Sequence, residues 1–563
     1  MQKSKTKLND AQWIIPKPSN QPLIVQLAHS RGLTKKKLEE FLHPRFPQSL
    51  SAPSQLPDIE VATARILKAV ENNEQIGIFG DYDVDGTCAA TLAVEVLEIL
   101  GAKAVVVKIP DRADGYGLNQ AVIDFFSQKG ITLLITVDTG TSAVDEIKAA
   151  QKKGIDCIVF DHHEPPLYPA RPVALINPKR SDSAYGYREL CATGVVFQWA
   201  HYLHELGKLS EGQLKWMLDL VALASVTDMV PLVADNRVLV HFGLVVLARS
   251  RRMGLKALMD VAGIDQKQIS AYTLGFQIGP RINAAGRMKD ATVSFDLLRA
   301  RDGARALKEA RELNHLNQQR QQLLEQIIGE ATAQIENNGL AKQKAIVLRS
   351  PAWPKGIVGL VAGRILEHYQ RPVVILEEAD GVLTGSARSP EKFHLVEALT
   401  RTRDHLERFG GHARAAGLTL KSSAFAQFEQ AFIDEANQIL SDNDLIPRVH
   451  ADARITAQDL TSETWGLVEQ LEPFGFGNPK PVFYLPDVSI ANFETFGKDR
   501  THVRGTIGER RVLAFSRSEQ FAQLKKDEPV EMLVTLERST FQGVSRNELF
   551  VRDWRSSTQK FSA

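Results

Sequence analysis

Four apolar runs in the first half of the chain each end in side chains that can bind a metal ion. The short runs that begin at Ile76, Leu133 and Cys157 are typical of buried strands, and the run that begins at Val221 is typical of a helix. In an open α/β sheet the carboxyl ends of parallel strands point into one crevice, so the polar residues after these runs are expected to lie together. They are Asp81-Tyr82-Asp83-Val84-Asp85-Gly86, Asp138, Asp161-His162-His163 and Asp228.

The stretches between these runs carry apolar residues at helical spacing. Helices are predicted at 61–71, 87–100, 118–128 and 143–153. The alternation of strand and helix predicts a lobe with a parallel sheet over 55–294. An accessory N-terminal segment, 1–54, precedes it, and its prolines argue for irregular structure apart from a short helix at 34–42.

The pattern changes twice in the rest of the chain. Residues 295–342 keep helical spacing without a proline and predict a connecting region of one long helix or two. A second α/β lobe is predicted over 343–445, and over 446–563 short strands alternate with turns, as in a small OB-type barrel. The predicted fold class is therefore α/β, with two α/β lobes joined by a long helix plus a C-terminal OB-type β-barrel.

Composition excludes few functions. The net charge of +1 gives no sign of nucleic-acid binding, although a local basic groove would suffice for it. Cys88, Cys157 and Cys191 lack zinc-site spacing and are expected to be buried as small apolar residues, which fits a reducing cytoplasm. The polar N-terminus has no signal core, and no uncharged apolar stretch reaches the roughly 18 residues of a membrane span.

Asp81, Asp83 and Asp85 alternate, so they would share one face of an extended strand. Three like charges on one face are unfavourable unless a cation binds there. The same pattern opens an EF-hand loop, but that loop needs a glutamate at its twelfth position, where this chain has Leu92. A solvated acidic turn and a satisfied buried histidine pair remain the alternatives for the separate motifs.

The joint set is the stronger observation, because all of its members follow apolar runs in one lobe. Carboxylates and imidazoles without a thiolate favour Mn²⁺ or Mg²⁺ over structural zinc. Two such ions are suited to phosphoester hydrolysis, because they activate a water and stabilise the charge of the transition state.

The set resembles the DHH phosphoesterase superfamily, whose name describes the triplet Asp161-His162-His163. The matching motifs around it are Asp81 to Gly86, Val137-Asp138-Thr139-Gly140 and Thr227-Asp228. Nearly the whole chain beyond the N-terminal segment is similar to the bacterial single-strand-specific exonucleases of that superfamily. The further segments that carry this similarity are Ile109 to Gly117, Gly279 to Arg287, Gly385 to Ser389, Phe409 to Ala413 and Glu472 to Pro479.

The resemblance implies 5′→3′ hydrolysis of single-stranded DNA to 5′-mononucleotides in DNA repair and recombination. It implies a two-metal site of Asp81, Asp83, Asp85, Asp138, His162, His163 and Asp228, with Asp85 and Asp161 supporting the direct ligands. The residues expected to act in catalysis are Asp83, Asp138, His162, His163 and His412. The terminal 5′-phosphate is expected at Arg112, Arg281, Ser386 and Arg388, and the scissile phosphate at His412 beside Gly410 and Gly411.

Further expectations concern the surface for single-stranded DNA, the Trp353-Pro354 dipeptide and the partners. Phe474, Phe476, Phe483 and Arg504 are expected to extend a surface for single-stranded DNA. The family usually has Trp-His where this chain has Trp353-Pro354, a difference interpreted as peripheral. The resemblance also implies a single-strand-binding protein and a helicase as partners, and a monomer is expected by default.

Two alternatives stay open from the sequence. The first is a DHH-family phosphodiesterase or pyrophosphatase acting on small nucleotides, which shares the metal motifs but does not need a C-terminal barrel. The second is a non-catalytic relative that binds nucleic acid as a scaffold. That alternative predicts eroded metal ligands, and this sequence keeps them.

Overall fold

The computed structural model describes residues 11–110, 117–521, 528–541 and 544–557. The described strands are β1 (Gln12–Ile14), β2 (Ile76–Gly80), β3 (Val105–Lys108), β4 (Leu133–Val137), β5 (Asp156–Phe160), β6 (Ala174–Ile176), β7 (Ile346–Ser350), β8 (Val373–Ala379), β9 (Val382–Arg388), β10 (Arg408–Gly411), β11 (Ala415–Lys421), β12 (Arg448–His450), β13 (Ala453–Arg454), β14 (Phe483–Val488), β15 (Ala491–Phe496), β16 (His502–Ile507), β17 (Arg510–Ala514), β18 (Val530–Phe541) and β19 (Val544–Ser556).

The described α-helices are α1 (Leu23–Ser30), α2 (Lys35–Leu42), α3 (Ile59–Glu71), α4 (Val84–Leu100), α5 (Gln120–Gln128), α6 (Val144–Lys152), α7 (Ala192–Glu205), α8 (Glu211–Trp216), α9 (Leu218–Thr227), α10 (Ala234–Leu247), α11 (Met253–Ala262), α12 (Ala271–Thr273), α13 (Gly279–Met288), α14 (Thr292–Arg299), α15 (Gly303–Asn337), α16 (Lys355–Tyr369), α17 (Leu395–Arg401), α18 (Phe425–Ile439), α19 (Ser462–Glu469) and α20 (Ser518–Phe521). A π-helix, Leu274–Ile278, joins α12 to α13.

The chain forms two compact units. The larger unit contains Leu33–Gln318 and Gln470–Lys480, and the smaller unit contains Met1–Gly32, Gln319–Glu469 and Pro481–Ala563. The predicted fold class is confirmed: a parallel-sheet lobe, a second α/β lobe and a C-terminal β-domain are present. Helix α15 runs from one unit into the other, and the separate helix α14 precedes it.

The larger unit is built on a five-stranded parallel sheet in the order β3-β2-β4-β5-β6. Its central strands are apolar along their length because helices cover both faces. Ile78 and Ile135 belong to the core on one face, whereas Phe79 and Leu134 belong to the core on the other. The carboxyl ends of β2, β4 and β5 therefore meet at one edge of the sheet.

Besides the β1–β12 pair, the described residues of the smaller unit form two sheets. One has the order β10-β11-β9-β8-β7, in which only the β7–β8 pair is parallel. The other is the C-terminal β-domain, with seven strands in the order β13-β14-β18-β19-β17-β16-β15.

The N-terminal residues are more ordered than their prolines predict. Strand β1 pairs in parallel with β12, and Trp13 Nε1 donates a hydrogen bond of 2.7 Å to Asp553 Oδ2. Helix α1 was not predicted, whereas α2 is present as expected, with Thr34 as its N-cap.

The segment Gln470–Lys480, which lies within the predicted C-terminal domain, packs in the larger unit. The buried Arg237 guanidinium donates to the carbonyls of Gln470 and Leu471. The backbone N–H of Leu232 donates to the Phe476 carbonyl at 2.7 Å. These bonds attach the segment to α10 and to the loop that precedes it.

Candidate metal centre

The acidic loop after β2 turns instead of continuing as a strand. Strand β2 ends at Gly80, and Asp83 becomes the N-cap of α4, where its carboxylate accepts the Gly86 N–H at 3.0 Å. A side chain at position 86 would place its Cβ 2.4 Å from the Asp81 carbonyl oxygen, so the tight turn requires glycine. The expectation that Asp81, Asp83 and Asp85 share one face of a strand is therefore wrong.

Asp85 is held by the N-terminus of α7. Its carboxylate accepts the backbone N–H groups of Ala192 at 2.6 Å and Thr193 at 2.8 Å, and the Thr193 hydroxyl at 2.6 Å. The side chain is 1% exposed. Unpaired N–H groups and the helix dipole make such a terminus favourable for an anion. Thr193 was not identified from the sequence, because nothing in its neighbourhood distinguishes it.

Asp138 follows β4 in a left-handed conformation with φ of 61° and is buried. Its backbone N–H donates to the Phe160 carbonyl, which fixes it beside the end of β5. The turn continues through Gly140, where φ is +117° and an added Cβ would lie 2.6 Å from the Thr136 hydroxyl. Only glycine fits this turn without strain.

Asp161 organises the two histidines that follow it. Its carboxylate accepts the backbone N–H of His162 at 2.8 Å and that of Thr141 at 2.9 Å, and it lies 2.7 Å from His163 Nδ1. Burial works against ionisation of Asp161, but the bond with His163 and its charge hold the pKa of Asp161 well below its usual range. Burial likewise opposes protonation of His163, yet the same pairing raises the pKa of His163 to about 9. A carboxylate that fixes an imidazole in this way is the usual support of a metal-binding histidine.

The structure brings all seven predicted metal residues together. Their ligand atoms form three groups, each with atoms within 4.8 Å of one another: Asp138, His162 and His163; Asp85, His162 and Asp228; and Asp81, Asp83 and Asp138. His162 Nε2 lies 3.2 Å from Asp138 Oδ1 and 3.8 Å from Asp228 Oδ2.

The electrostatics of this group fit divalent cations. Burial raises the pKa of Asp83, and so does the Asp85 carboxylate. The pKa values of Asp138 and Asp228 are raised well above their usual range, first by burial and then by Asp85 and Asp83. Carboxylates this close repel one another unless positive charge lies between them. Oxygen and imidazole donors suit Mn²⁺ or Mg²⁺, and these seven residues would hold such ions.

Of the predicted phosphate residues in the first lobe, Arg112 lies outside the described residues. Arg281 on α13 is half-buried, and it donates to the Gln277 carbonyl at 2.6 Å and to Asn314 Oδ1 at 3.0 Å. Asn283, two residues further on in the segment Gly279 to Arg287, is not recognisable from the sequence as a functional residue. Its Oδ1 accepts the Val84 N–H at 3.1 Å and so fixes the acidic loop.

The predicted phosphate residues of the smaller unit lie on one sheet. Arg388 and Ser386 are on β9, and Arg388 Nη1 donates to the Ser386 hydroxyl at 2.7 Å. Ser386 and Gly410 both lie opposite Gly417, on its two sides. His412 follows Gly411 and is exposed, as an anion contact requires.

Gly359, which the sequence alone did not identify, lies against Ser386 and Arg388. A Cβ at Gly359 of α16 would lie 3.3 Å from Ser386 Oγ and 3.4 Å from Arg388 Nη2. The helix that begins after the unusual Pro354 thus approaches the predicted phosphate residues closely. Trp353 itself is fully buried, and its Nε1 donates to Glu330 at 2.8 Å.

The expected surface for single-stranded DNA needs one correction. Phe483 is fully buried, so no face of its ring is open for a base to stack on. Phe476 is 57% exposed and belongs to the larger unit. Arg504 pairs with Glu494 at 2.6 Å. The three cysteines are free and buried, as predicted.

Comparison with known proteins accounts for three regions of the chain. Residues 75–225 match the DHH family N-terminal domain, 342–442 the DHHA1 domain, and 451–553 the RecJ OB domain. The fold and the acidic–histidine centre define a metal-dependent phosphoesterase of the DHH class. Single-stranded-DNA-specific exonuclease RecJ of Haemophilus influenzae is 34% identical over 506 residues, which cover 86% of this chain and 87% of that protein. The chain therefore belongs to the RecJ family.

Two further relatives extend the comparison. RecJ of Bacillus subtilis is 36% identical over 490 residues, which cover 86% of this chain and 61% of that longer protein. The crystal structure of RecJ from Thermus thermophilus in complex with Mn²⁺ superimposes with a TM-score of 0.83 at 28% identity, covering 98% of this chain and 80% of that one. Among the described residues, no helix has the length and apolar character to span a bilayer.

Proposed function

We propose that this protein is a single-stranded-DNA-specific exonuclease that degrades DNA in the 5′→3′ direction, releases 5′-mononucleotides and acts in DNA repair and recombination. The observation that carries the proposal is the convergence of seven acidic and histidine side chains at one edge of the parallel sheet. The substrate follows from the relatives, which are named as exonucleases specific for single-stranded DNA.

The seven acidic and histidine residues would hold two divalent ions, Mn²⁺ or Mg²⁺, which would supply an activated water and stabilise negative charge on the phosphoryl group. The protein's task is to hold the donors in place before the substrate arrives. Asp161 fixes the ring of His163, and the N-terminus of α7 fixes the carboxylate of Asp85. Asn283 holds the backbone of the acidic loop at Val84. Such fixed donors need little reorganisation during the reaction.

The polarity of degradation is assigned to recognition of the terminal 5′-phosphate. Arginine suits this role because its planar guanidinium donates two parallel hydrogen bonds to phosphate oxygens. Arg388 is held by Ser386, which limits its side-chain freedom before binding. Arg281 and Arg112 are assigned to the same phosphate, and His412 with Gly410 and Gly411 to the scissile phosphate.

The setting of the reaction is proposed on family resemblance alone. A single-strand-binding protein and a helicase are the proposed partners, a monomer is the proposed state, and the cytoplasm is the proposed compartment. Co-purification of the full chain with each candidate partner, and its mass by light scattering, test these assignments.

The function is tested with a single-stranded oligonucleotide labelled separately at its 5′ and 3′ ends and incubated with Mn²⁺. We expect mononucleotides to be released stepwise from the 5′ end, while the matching duplex is spared. Release from the 3′ end, or equal cleavage of duplex, contradicts the proposal. Pyrophosphate and a cyclic dinucleotide are tested in parallel. Turnover of these alone assigns the protein to the small-nucleotide phosphodiesterases instead.

A further inference from the structure

The segment from α12 to α13 lies directly against the loop that carries Asp228. A Cβ on Gly279 would lie 2.2 Å from Thr227 Cγ2, and one on Gly275 would lie 3.3 Å from Val226 Cγ1. Val226 and Thr227 are the last two residues of α9 before Asp228. The absence of a side chain at these glycines therefore allows the π-helix to approach within one turn of a predicted metal ligand.

The other end of the same segment reaches the acidic loop. A Cβ on Gly286 would lie 2.8 Å from the Tyr82 carbonyl oxygen, and Asn283 accepts the Val84 N–H. One continuous segment thus contacts both the Asp81–Asp85 loop and the end of α9. The segment itself therefore lies beside the candidate metal centre.

Two large aromatic side chains project outward from it. Tyr272 is 63% exposed and Phe276 is 68% exposed, and their rings stack with centroids 4.8 Å apart at 25°. Met229, next to Asp228, is 66% exposed as well. Folding gains little from apolar rings left in water, so a paired exposure of this kind indicates a binding surface.

The backbone beneath the pair supports the same interpretation. Phe276 lies in the π-helix Leu274–Ile278, where the Gly279 N–H bonds to the Leu274 carbonyl five residues back. Single π-helical turns are rare and occur often at functional sites. The extra residue in this turn lets Gly275 and Gly279 face α9 while Phe276 faces solvent.

We propose that the Tyr272–Phe276 pair is a stacking platform for the bases of the single strand beside the metal centre. The inference rests on the proposed function and names a further binding site for the same substrate. Every base has a flat π-face, so stacking holds a strand without reading its sequence. Arg281 lies little more than a turn beyond Phe276, and a cation there suits the phosphates of a strand whose bases stack on the rings.

The test compares two single strands of equal length and charge. One carries thymine at every position, and the other carries abasic tetrahydrofuran residues at the third to eighth positions from its 5′ end. Affinity is measured by fluorescence anisotropy in Ca²⁺, and KM by cleavage in Mn²⁺. We expect Phe276→Ala to weaken binding of the thymine strand by about fivefold to a hundredfold, because stacking of a base on an aromatic ring contributes that much. Binding of the abasic strand should be nearly unchanged.

Controls separate stacking from structural damage. Tyr168→Ala removes a tyrosine of the same unit that is 78% exposed and should affect neither strand. Phe276→Trp and Tyr272→Phe should keep the affinity for the thymine strand. An equal loss on both strands, or no loss on either, overturns the platform. Failure of the unmodified protein to bind or cleave any single strand overturns the proposed function instead, so the two failures are distinguishable.

Discussion

Asp138 connects the acidic loop to the histidine pair, because it groups with Asp81 and Asp83 on one side and with His162 and His163 on the other. It is buried among Asp81, Asp83 and Asp85, whose charges raise its pKa in addition to the effect of burial. Its left-handed backbone is tolerated by asparagine at least as well as by aspartate. An asparagine at this position therefore changes the charge and leaves the backbone alone.

Asp138→Asn should abolish cleavage and remove the stabilisation by Mn²⁺, which is about 2.7 kcal/mol at a hundred times Kd. Without metal the variant should be more stable than the parent by about 1 kcal/mol, because one repelling buried charge is gone. Thermal unfolding with EDTA and with Mn²⁺ measures both effects. Asp145→Asn, whose side chain is 94% exposed, is the control and should behave as the parent. An Asp138 variant that keeps the Mn²⁺ shift excludes this position from the site.

Arg388→Ala should raise KM for a 5′-phosphorylated strand by tenfold or more, because a charged hydrogen bond contributes about 1.5–3 kcal/mol. The KM for a 5′-hydroxyl strand should change little, and kinetics on the two strands measure the difference. Arg364→Ala removes a helix arginine of the same unit whose side chain is 60% exposed, and it serves as the control. Equal changes on both strands argue against recognition of the terminal phosphate by Arg388.

The sequence predicts which side chains converge as candidate ligands, but it does not predict their directions. Each ligand follows an apolar strand or helix, and the ends of such elements are visible in the pattern. Asp85 turns towards Ala192, 107 positions later, and a contact at that distance leaves no local signal. The capping role of Asp83 has a local signal, since an aspartate directly before a helix is a typical N-cap, yet the alternating carboxylates favoured a strand.

At the scale of elements, β2, β4 and β5 could be predicted and are present. Strands that are buried on both faces need a continuous apolar sequence, and such a run is visible in the sequence. Strand β1 escaped prediction because its three residues gain strand geometry only by pairing with β12. The packing of Gln470–Lys480 in the larger unit also depends on distant partners, notably Arg237. Tertiary contacts of this kind override local propensity.

Arg237→Met should destabilise the larger unit by about 3 kcal/mol, because two buried carbonyls and one partly buried carbonyl lose a charged donor. These acceptors are the carbonyls of Phe41, Gln470 and Leu471. Urea unfolding measures the loss, and limited proteolysis should show faster cleavage within 470–480. Arg249→Met, at an exposed position of the same unit, should change neither. Unchanged proteolysis of the segment in the Arg237 variant contradicts its attachment by this side chain.

At the scale of the whole molecule, the candidate metal residues among those that the structure describes all belong to the larger unit. Binding of Mn²⁺ should therefore slow amide hydrogen exchange in the loops after β2, β4 and β5 by tenfold or more. The reason is that these loops would have to release the ion before they could open locally. The sheet of β7 to β11 should exchange at the same rate with and without metal. Exchange followed by mass spectrometry tests this, with Ca²⁺-free EDTA buffer as the reference state. Equal protection of both units contradicts a metal effect confined to the larger unit.

Trp13 and Asp553, which share a buried hydrogen bond, are 540 positions apart in the chain. During synthesis at about 5–20 residues per second, Trp13 leaves the ribosome roughly half a minute to two minutes before its partner does. The parallel sheet of the larger unit can form early in that interval from residues already made, before β12 has been synthesised. A nascent chain stalled before β12 should therefore show a folded parallel sheet and an undocked, protease-sensitive β1.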